Sequence, residues 1–315
     1  MDVITLGESM VLFTPESSGP LRYVERLHRT IGGAESNVAI ALSRLGHKVG
    51  WISKLGKDEF GLYIRNTIRG EGVDTSQVVF DKHFPTGIFF KERKIHGDPN
   101  IYYYRQHSAA SSMDPKSIDF SYVKKAKYIH LTGITPALST SCKKTIYKVL
   151  EEVKANQHQK IVFDPNIRLK LWSEADAREV LTDIAQKCDI VLPGIDEGRL
   201  MTGETTPENI SHYFLERGTK AVIVKLGENG AYYTTDKESM YVPGEKVESL
   251  VDTVGAGDGF AAGVISGLLR GWGYHQSVQL GNKMGACALG VEGDIEGYPY
   301  WEEIDPNSPA NHINR

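Results

Sequence analysis

The chain has only three cysteines in 315 residues, Cys142, Cys188 and Cys287, and they lie far apart. That excludes a disulfide framework and a Cys-x-x-Cys metal site, and it fits a reducing compartment. No uninterrupted apolar run approaches the roughly eighteen residues that span a bilayer. There is no block of five like charges, and 36 basic against 40 acidic side chains leave a formal charge of −4. A dedicated nucleic-acid or membrane-surface binder is therefore not expected. The first apolar run, from Val3, follows Met1 with no basic or apolar leader before it, so the expected location is the cytoplasm. The phosphate-binding Gly-x-x-x-x-Gly-Lys-Ser/Thr loop is also missing. Small molecules become the default partners.

What is present is an alternation. Apolar, β-branched runs at Val3 to Leu6, Val49 to Ile52, Tyr128 to Leu131, Ile161 to Asp164, Ile190 to Leu192 and Ala221 to Lys225 read as strands. Amphipathic stretches lie between them, at Asn37 to Leu45, Phe60 to Ile68, Cys142 to Val153 and Ala177 to Ile184. Strands without polar alternation are buried on both faces, which predicts a doubly wound α/β core with a mostly parallel sheet between helices. Two stretches break the rhythm. Phe13 to Thr30 has no helical period, and Gly87 to Ile95 and Ile101 to Arg105 read as strands paired across the turn-forming His96-Gly-Asp-Pro-Asn100. Such a hairpin suits a small β-rich lid. The expected division is a core of residues 1–12, 31–84 and 109–315, with a lid of 13–30 and 85–108.

The most informative segment is Asp252-Thr-Val-Gly-Ala-Gly-Asp-Gly-Phe260, which leads into a helical pattern through Ala261, Val264, Ile265 and Leu268. Gly255, Ala256 and Gly257 have almost no side chain, so the loop can present backbone N–H groups to a phosphate at the positive end of a helix. A carboxylate at Asp258 would repel that phosphate unless it had its own task, such as taking the proton from an attacking hydroxyl. The bland alternative is an aspartate that caps a helix.

This segment resembles the C-terminal signature of the ribokinase-like (PfkB) sugar kinases, and Ile31-Gly-Gly-Ala-Glu-Ser-Asn-Val-Ala39 resembles their N-terminal one, about 220 residues earlier. The resemblance extends to about Pro299. It implies ATP and Mg2+, an anion hole at Gly255 to Gly257, and Asp258 as the activating base. It also implies sugar contacts at Gly33, where the backbone would be approached closely, and at Asn37, Phe89 and Tyr103. Nucleotide contacts are implied at Asn166, Arg168, Lys225, Gly227, Gly230 and Asn282, although Asn229-Gly230 by itself is also a hairpin turn signal. The family usually has Asn-x-x-Glu where this chain has Gly194-Ile-Asp-Glu197. Glu197 is therefore expected to reach the metal only through water, with Asp196 nearby. Some members hold a monovalent cation such as K+, here expected near Asp252 and the carbonyls of Ala288 to Gly293.

For the acceptor, Arg168 follows a strand end, where ligands gather in open α/β sheets, and Arg105 ends the lid hairpin. Two guanidinium groups suit a carboxylate, because the planar fork meets it bidentately. Surface ion pairs are the alternative for both, and Arg168 could instead meet ATP. The strings around Arg105 and Arg168 resemble the 2-keto-3-deoxygluconate kinases of the family, although fructokinases share the second. The expected activity is phosphorylation of that sugar acid to 2-keto-3-deoxy-6-phosphogluconate. A neutral-sugar kinase and a non-catalytic sugar or nucleotide sensor are the alternatives. A homo-oligomer formed through the lid is expected if Ile88, Phe90 and Ile101 leave it with an apolar outer face.

Overall fold

The computed structural model describes residues 1–94, 100–156, 158–247 and 250–305. In chain order the strands are β1 (Val3–Leu6), β2 (Met10–Pro15), β3 (Leu27–Gly32), β4 (Val49–Gly56), β5 (Val78–Asp81), β6 (Ile88–Glu92), β7 (Asn100–Tyr104), β8 (Tyr128–Thr132), β9 (Lys160–Asp164), β10 (Ile190–Val191), β11 (Ala221–Lys225), β12 (Ala231–Thr235) and β13 (Ser239–Val242). The helices are α1 (Ala34–Arg44), α2 (Glu59–Gly70), α3 (Phe120–Val123), α4 (Ile134–Leu138), α5 (Thr140–Lys154), α6 (Glu174–Ala185), α7 (Ile195–Thr202), α8 (Pro207–Leu215), α9 (Ala256–Leu269), α10 (Tyr274–Leu289) and α11 (Trp301–Ile304).

Nine strands form one sheet in the order β13-β12-β11-β10-β9-β8-β1-β4-β5. From β11 to β5 the pairings are parallel, and only β12 and β13 join antiparallel. Both faces are covered. One packs on α1, α2, α9 and α10 through residues such as Val38, Ile64, Val264 and Met284. The other packs on α5, α6 and α8 through Ile146, Leu181 and Phe214. This is why the central strands read as unbroken apolar runs. The chain proceeds outward from β1 to β4 and β5, then restarts at β8 and runs the other way, so the order reverses between β1 and β8. A crevice opens beyond the strand ends at such a reversal.

The remaining strands form a separate sheet, β3-β2-β6-β7. The expected hairpin is there, with Ile88 opposite Tyr104 and Glu92 opposite Asn100; its expected turn falls largely on 95–99, outside the described residues. The small sheet reaches beyond the expected bounds of 13–30, starting at Met10 and running to Gly32, because β2 and β3 pair along Met10–Pro15 and Leu27–Gly32. The parallel pairing of β2 with β6 had no local sequence signal.

Ile88, Phe90 and Ile101 are not what the lid exposes; the exposed large apolar and aromatic side chains on its strands are Leu27, Tyr102, Tyr103 and Tyr104. Ile88 and Phe13 pack against the main core, Phe90 stacks on Phe13 at 5.1 Å, and Ile101 packs with Met10, Leu12 and Phe89. Those apolar groups are largely covered within the chain.

The helices α9 and α10 meet through glycines. A Cβ on Gly263 would lie 2.6 Å from the Leu280 carbonyl and 2.7 Å from Gly281 Cα. Those obstacles are backbone and cannot swing aside. Gly263→Val should destabilise the fold by about 3 kcal/mol or more, read as a lower urea midpoint; an unchanged midpoint would mean the two helices are not in this contact.

Candidate active site

A cavity of about 340 Å³ lies between the strand ends of the large sheet and the underside of the small one. At its centre is Asp258, in the first turn of α9 and buried. Gly255, at φ +81°, is the residue before that helix, and no side chain caps it. The N–H groups of Ala256, Gly257 and Asp258 therefore have no intrahelical acceptor, as at any helix start. Gly255 is required here on two counts, since its φ is left-handed and a Cβ would stand 2.2 Å from the Asp294 carbonyl. Gly257 faces the cavity, where the nearest atom to an added Cβ is Lys225 Nζ, at 3.8 Å.

Asn37 Nδ2 on α1 donates to Asp258 Oδ2 at 2.8 Å and lies 3.4 Å from Asp294 Oδ2. The Oδ1 atoms of Asn37 and Asp294 are buried without a hydrogen-bond partner among the described residues. Two such acceptors beside a carboxyl form a place for hydroxyl donors. Burial, with Asp164 and Asp294 nearby, pushes the Asp258 carboxyl up to about 8, against the pull of Asn37 and Arg168. Burial likewise pushes Asp294 up to about 7, with Lys91 and Asn37 pulling the other way.

The cations are distributed in pairs. Lys225 Nζ at the end of β11 is 2.9 Å from both oxygens of Asp164; burial opposes its charge, but Asp164, Glu197 and Asp258 hold its pKa above the usual value. Arg105 is buried, donating from Nε to Glu8 Oε2 at 2.7 Å, and Ser108 Oγ donates to the other Glu8 oxygen. Its guanidinium lies 5.6 Å from the Tyr103 ring. Lys91 on β6 is ion-paired with Asp252. Arg168 alone is exposed at the cavity rim with no ion pair among the described residues.

A family model for the pfkB family carbohydrate kinases matches residues 1–301. This chain belongs to that family. The 2-dehydro-3-deoxygluconokinase of Bacillus subtilis (strain 168) is 43% identical over 306 residues, covering 96% of this chain and 94% of that one. The structure of a PfkB protein from Polaromonas sp. JS666 matches with a TM-score of 0.89 at 42% identity, over 97% of this chain and 99% of that one. An E. coli protein described as a ribokinase II, in complex with ATP and Mg2+, matches at 0.89 and 30% identity over 96% and 97%.

In this PfkB kinase most of the sequence-expected residues meet at one place. Gly33, Asn37, Phe89, Tyr103, Arg105, Asn166, Arg168, Glu197, Lys225, Gly255, Gly257 and Asp258 all line the cavity. Gly227, Gly230, Ala256 and Asn282 are not among its lining residues. Asn282 Nδ2 instead donates to the carbonyls of Pro243 at 2.8 Å and Val242 at 3.3 Å, joining α10 to the end of β13. Gly230 is a tight crossing, where a Cβ would stand 2.1 Å from the Val242 carbonyl. Gly33 is explained by packing too, since a Cβ there would meet the Glu8 carbonyl at 2.4 Å. Neither Arg105 nor Arg168 is a simple surface pair.

Glu197 caps its own helix: Oε2 accepts from Gly194 N at 2.7 Å and Oε1 from Ile167 N at 2.8 Å. Its remaining lone pairs can take metal-bound water, which fits Mg2+ arriving on nucleotide phosphates. No three acidic, His or Cys groups among the described residues converge to hold a metal by themselves. Asp196 does not join Glu197 at the cavity; it is exposed and pairs with Arg199 at 2.9 Å. The monovalent cation expected at Asp252 does not fit, because the Lys91 ammonium already meets that carboxylate. Glu8, Lys91, Asp164 and Asp294 were missed by sequence reasoning. A lone acid or lysine has no spacing signal, although Gly293-Asp294 after α10 and the Gly7-Glu8 turn after β1 both stand at positions where the fold gathers ligands.

The raised Asp258 pKa has a stability consequence. Its folded value lies above its unfolded one, so its contribution to stability is intact below about pH 4 and is lost as pH rises through 8. Asp258→Asn removes that penalty. The variant should melt above the wild type at about pH 9, with the gap closing toward about pH 5; a gap that does not depend on pH would contradict the burial argument.

Proposed function

We propose that this kinase transfers the γ-phosphoryl group of MgATP to a hydroxyl of 2-keto-3-deoxygluconate (2-dehydro-3-deoxygluconate), giving the 6-phosphate and ADP. The observation that carries the reaction type is the carboxyl of Asp258 beside the uncapped first turn of α9. Asp258 takes the proton as the sugar oxygen bonds to the γ-phosphorus and the bond to the ADP oxygen breaks. The amides at Ala256, Gly257 and Asp258 receive the charge on the transferring oxygens without having to reorganise. A carboxyl with a pKa of about 8 is a usable base, since base efficiency is greatest near the working pH. Mg2+ on the phosphates would offset part of their charge, with Glu197 reaching it through water. Lys225 and Asn166 lie on the nucleotide side in this reading, and Arg168 is left for the acceptor.

The substrate rests on the named activity of the Bacillus subtilis relative together with the charge of the cavity. Asn37 Oδ1 and Asp294 Oδ1, which lack partners, suit sugar hydroxyls. Arg168 brings a guanidinium with no ion pair among the described residues, and Arg105, buried and hydrogen-bonded to Glu8, offers a fixed one. A carboxylate is the acceptor group that uses them. Phe89 stacks on Tyr103 at 5.5 Å above the site, an apolar roof that keeps water from competing for the phosphoryl group. One observation favours a neutral sugar: Glu8 already compensates the charge of Arg105.

A coupled ADP-release assay with the keto-deoxy acid, fructose and ribose separates the two readings. The acid should be preferred in kcat/KM, and equal or greater turnover of fructose would overturn the assignment. Asp258→Asn should bind sugar normally and lose roughly two to four orders of magnitude in kcat; near-normal turnover would remove Asp258 as the base. For the wild type, kcat/KM should rise with pH toward a plateau above about 8, and a flat acid limb would count against an ionising base in this carboxyl.

A further inference from the structure

Lys91 sits on β6 of the small sheet, yet its side chain is almost fully withdrawn from water, with Lys91 6% and Asp252 9% exposed. Its Nζ meets Asp252 Oδ2. That carboxylate is already a junction of two loops. Oδ1 accepts from Val254 N at 3.2 Å, in the turn that enters Gly255, and Oδ2 lies 3.4 Å from Gly293 N, next to Asp294. One ammonium therefore compensates the group that ties the start of α9 to the loop carrying Asp294. It also draws the Asp294 carboxyl back toward ionisation. A buried carboxylate without a counter-charge would be costly, so the junction needs a cation.

We propose that Lys91 is this kinase's built-in cation: a positioning residue that reaches down from the small sheet to hold the two loops around Asp258, in the place where an external monovalent ion would otherwise be required. The inference rests on the kinase reading above. Two consequences distinguish it from simple packing. The wild type needs no monovalent ion, and removing the amine leaves a hole with a bare carboxylate that a small cation can refill.

The test uses the intact protein at constant ionic strength, with K+, Na+, ammonium, methylammonium or tetramethylammonium as the only monovalent cation. The wild type should turn over equally in all five. Lys91→Ala should lose about a hundred-fold in kcat with little change in KM, as expected when a reacting group is displaced by about 1 Å. Ammonium, methylammonium or K+ should restore much of that loss, and tetramethylammonium, too large for the hole, should not. Melting gives a second readout that needs no substrate: ammonium should raise the melting temperature of Lys91→Ala and leave the wild type unmoved. Dependence of the wild type on K+ would overturn the proposal. So would full activity of Lys91→Ala, or a loss that no small cation reverses in either rate or melting. If the wild type phosphorylates nothing in the sugar panel, the functional reading has failed, and the melting comparison still decides the role of Lys91. If Lys91→Ala does not fold, the wild-type cation series decides it.

Discussion

The site depends on one arrangement, a carboxyl buried in the first turn of a helix whose first amides have no intrahelical acceptor and no side-chain cap among the described residues. Burying Asp258 raises the free energy of its charged form, and the amides beside it attract negative charge. A carboxyl placed there without a reacting partner is a cost to the fold, which is the usual sign that stability has been exchanged for function. The surroundings keep it in place. Asn37 on α1 grips one oxygen, and Gly255, held by Tyr298 Oη donating to its carbonyl at 2.7 Å, sets the direction in which α9 begins. Glycine contacts between α9 and α10 then fix the helix axis behind it.

Around that carboxyl the charges are arranged in buried couples: Lys225 with Asp164, Arg105 with Glu8, and Lys91 with Asp252. Each joins segments far apart in the chain, and in two of the three the cation comes from the hairpin β6–β7 or its end. Pairs of this kind add little net stability, because desolvation offsets their attraction. Their effect is geometric. They bring the small sheet, the loop before α9 and the strand ends into one register, leaving Arg168 as the cation of the rim without a compensating acid among the described residues.

The sequence carried much of this. Apolar runs marked β1, β8, β9 and β11 because strands buried on both faces have no alternation, and the glycine-rich loop before a helical period marked the start of α9 correctly. The edge strands β5 and β13 and the partly exposed β3 were unmarked, since their residues mix polar and apolar types as solvent-facing strands do. In the site, Asp258, Asn37 and Lys225 were legible because each sits in a local motif. Glu8, Lys91 and Asp294 were not, because what gives them a role is a partner that only folding brings near. In sequence, Lys91 is one charge in Lys-Glu-Arg-Lys on an edge hairpin. Asn282 carries a feature the sequence did not show: its Nδ2 donates to the backbone carbonyls of Val242 and Pro243, tying α10 to the end of β13.

The most direct test of this account is the titration of the Asp258 carboxyl itself in the ligand-free enzyme, followed by isotope-edited infrared difference spectra with Asp258→Asn identifying its band. The account predicts a protonated carboxyl that persists through neutrality and ionises near pH 8. A band already fully ionised at about pH 6, as an ordinary aspartate would be, would contradict it.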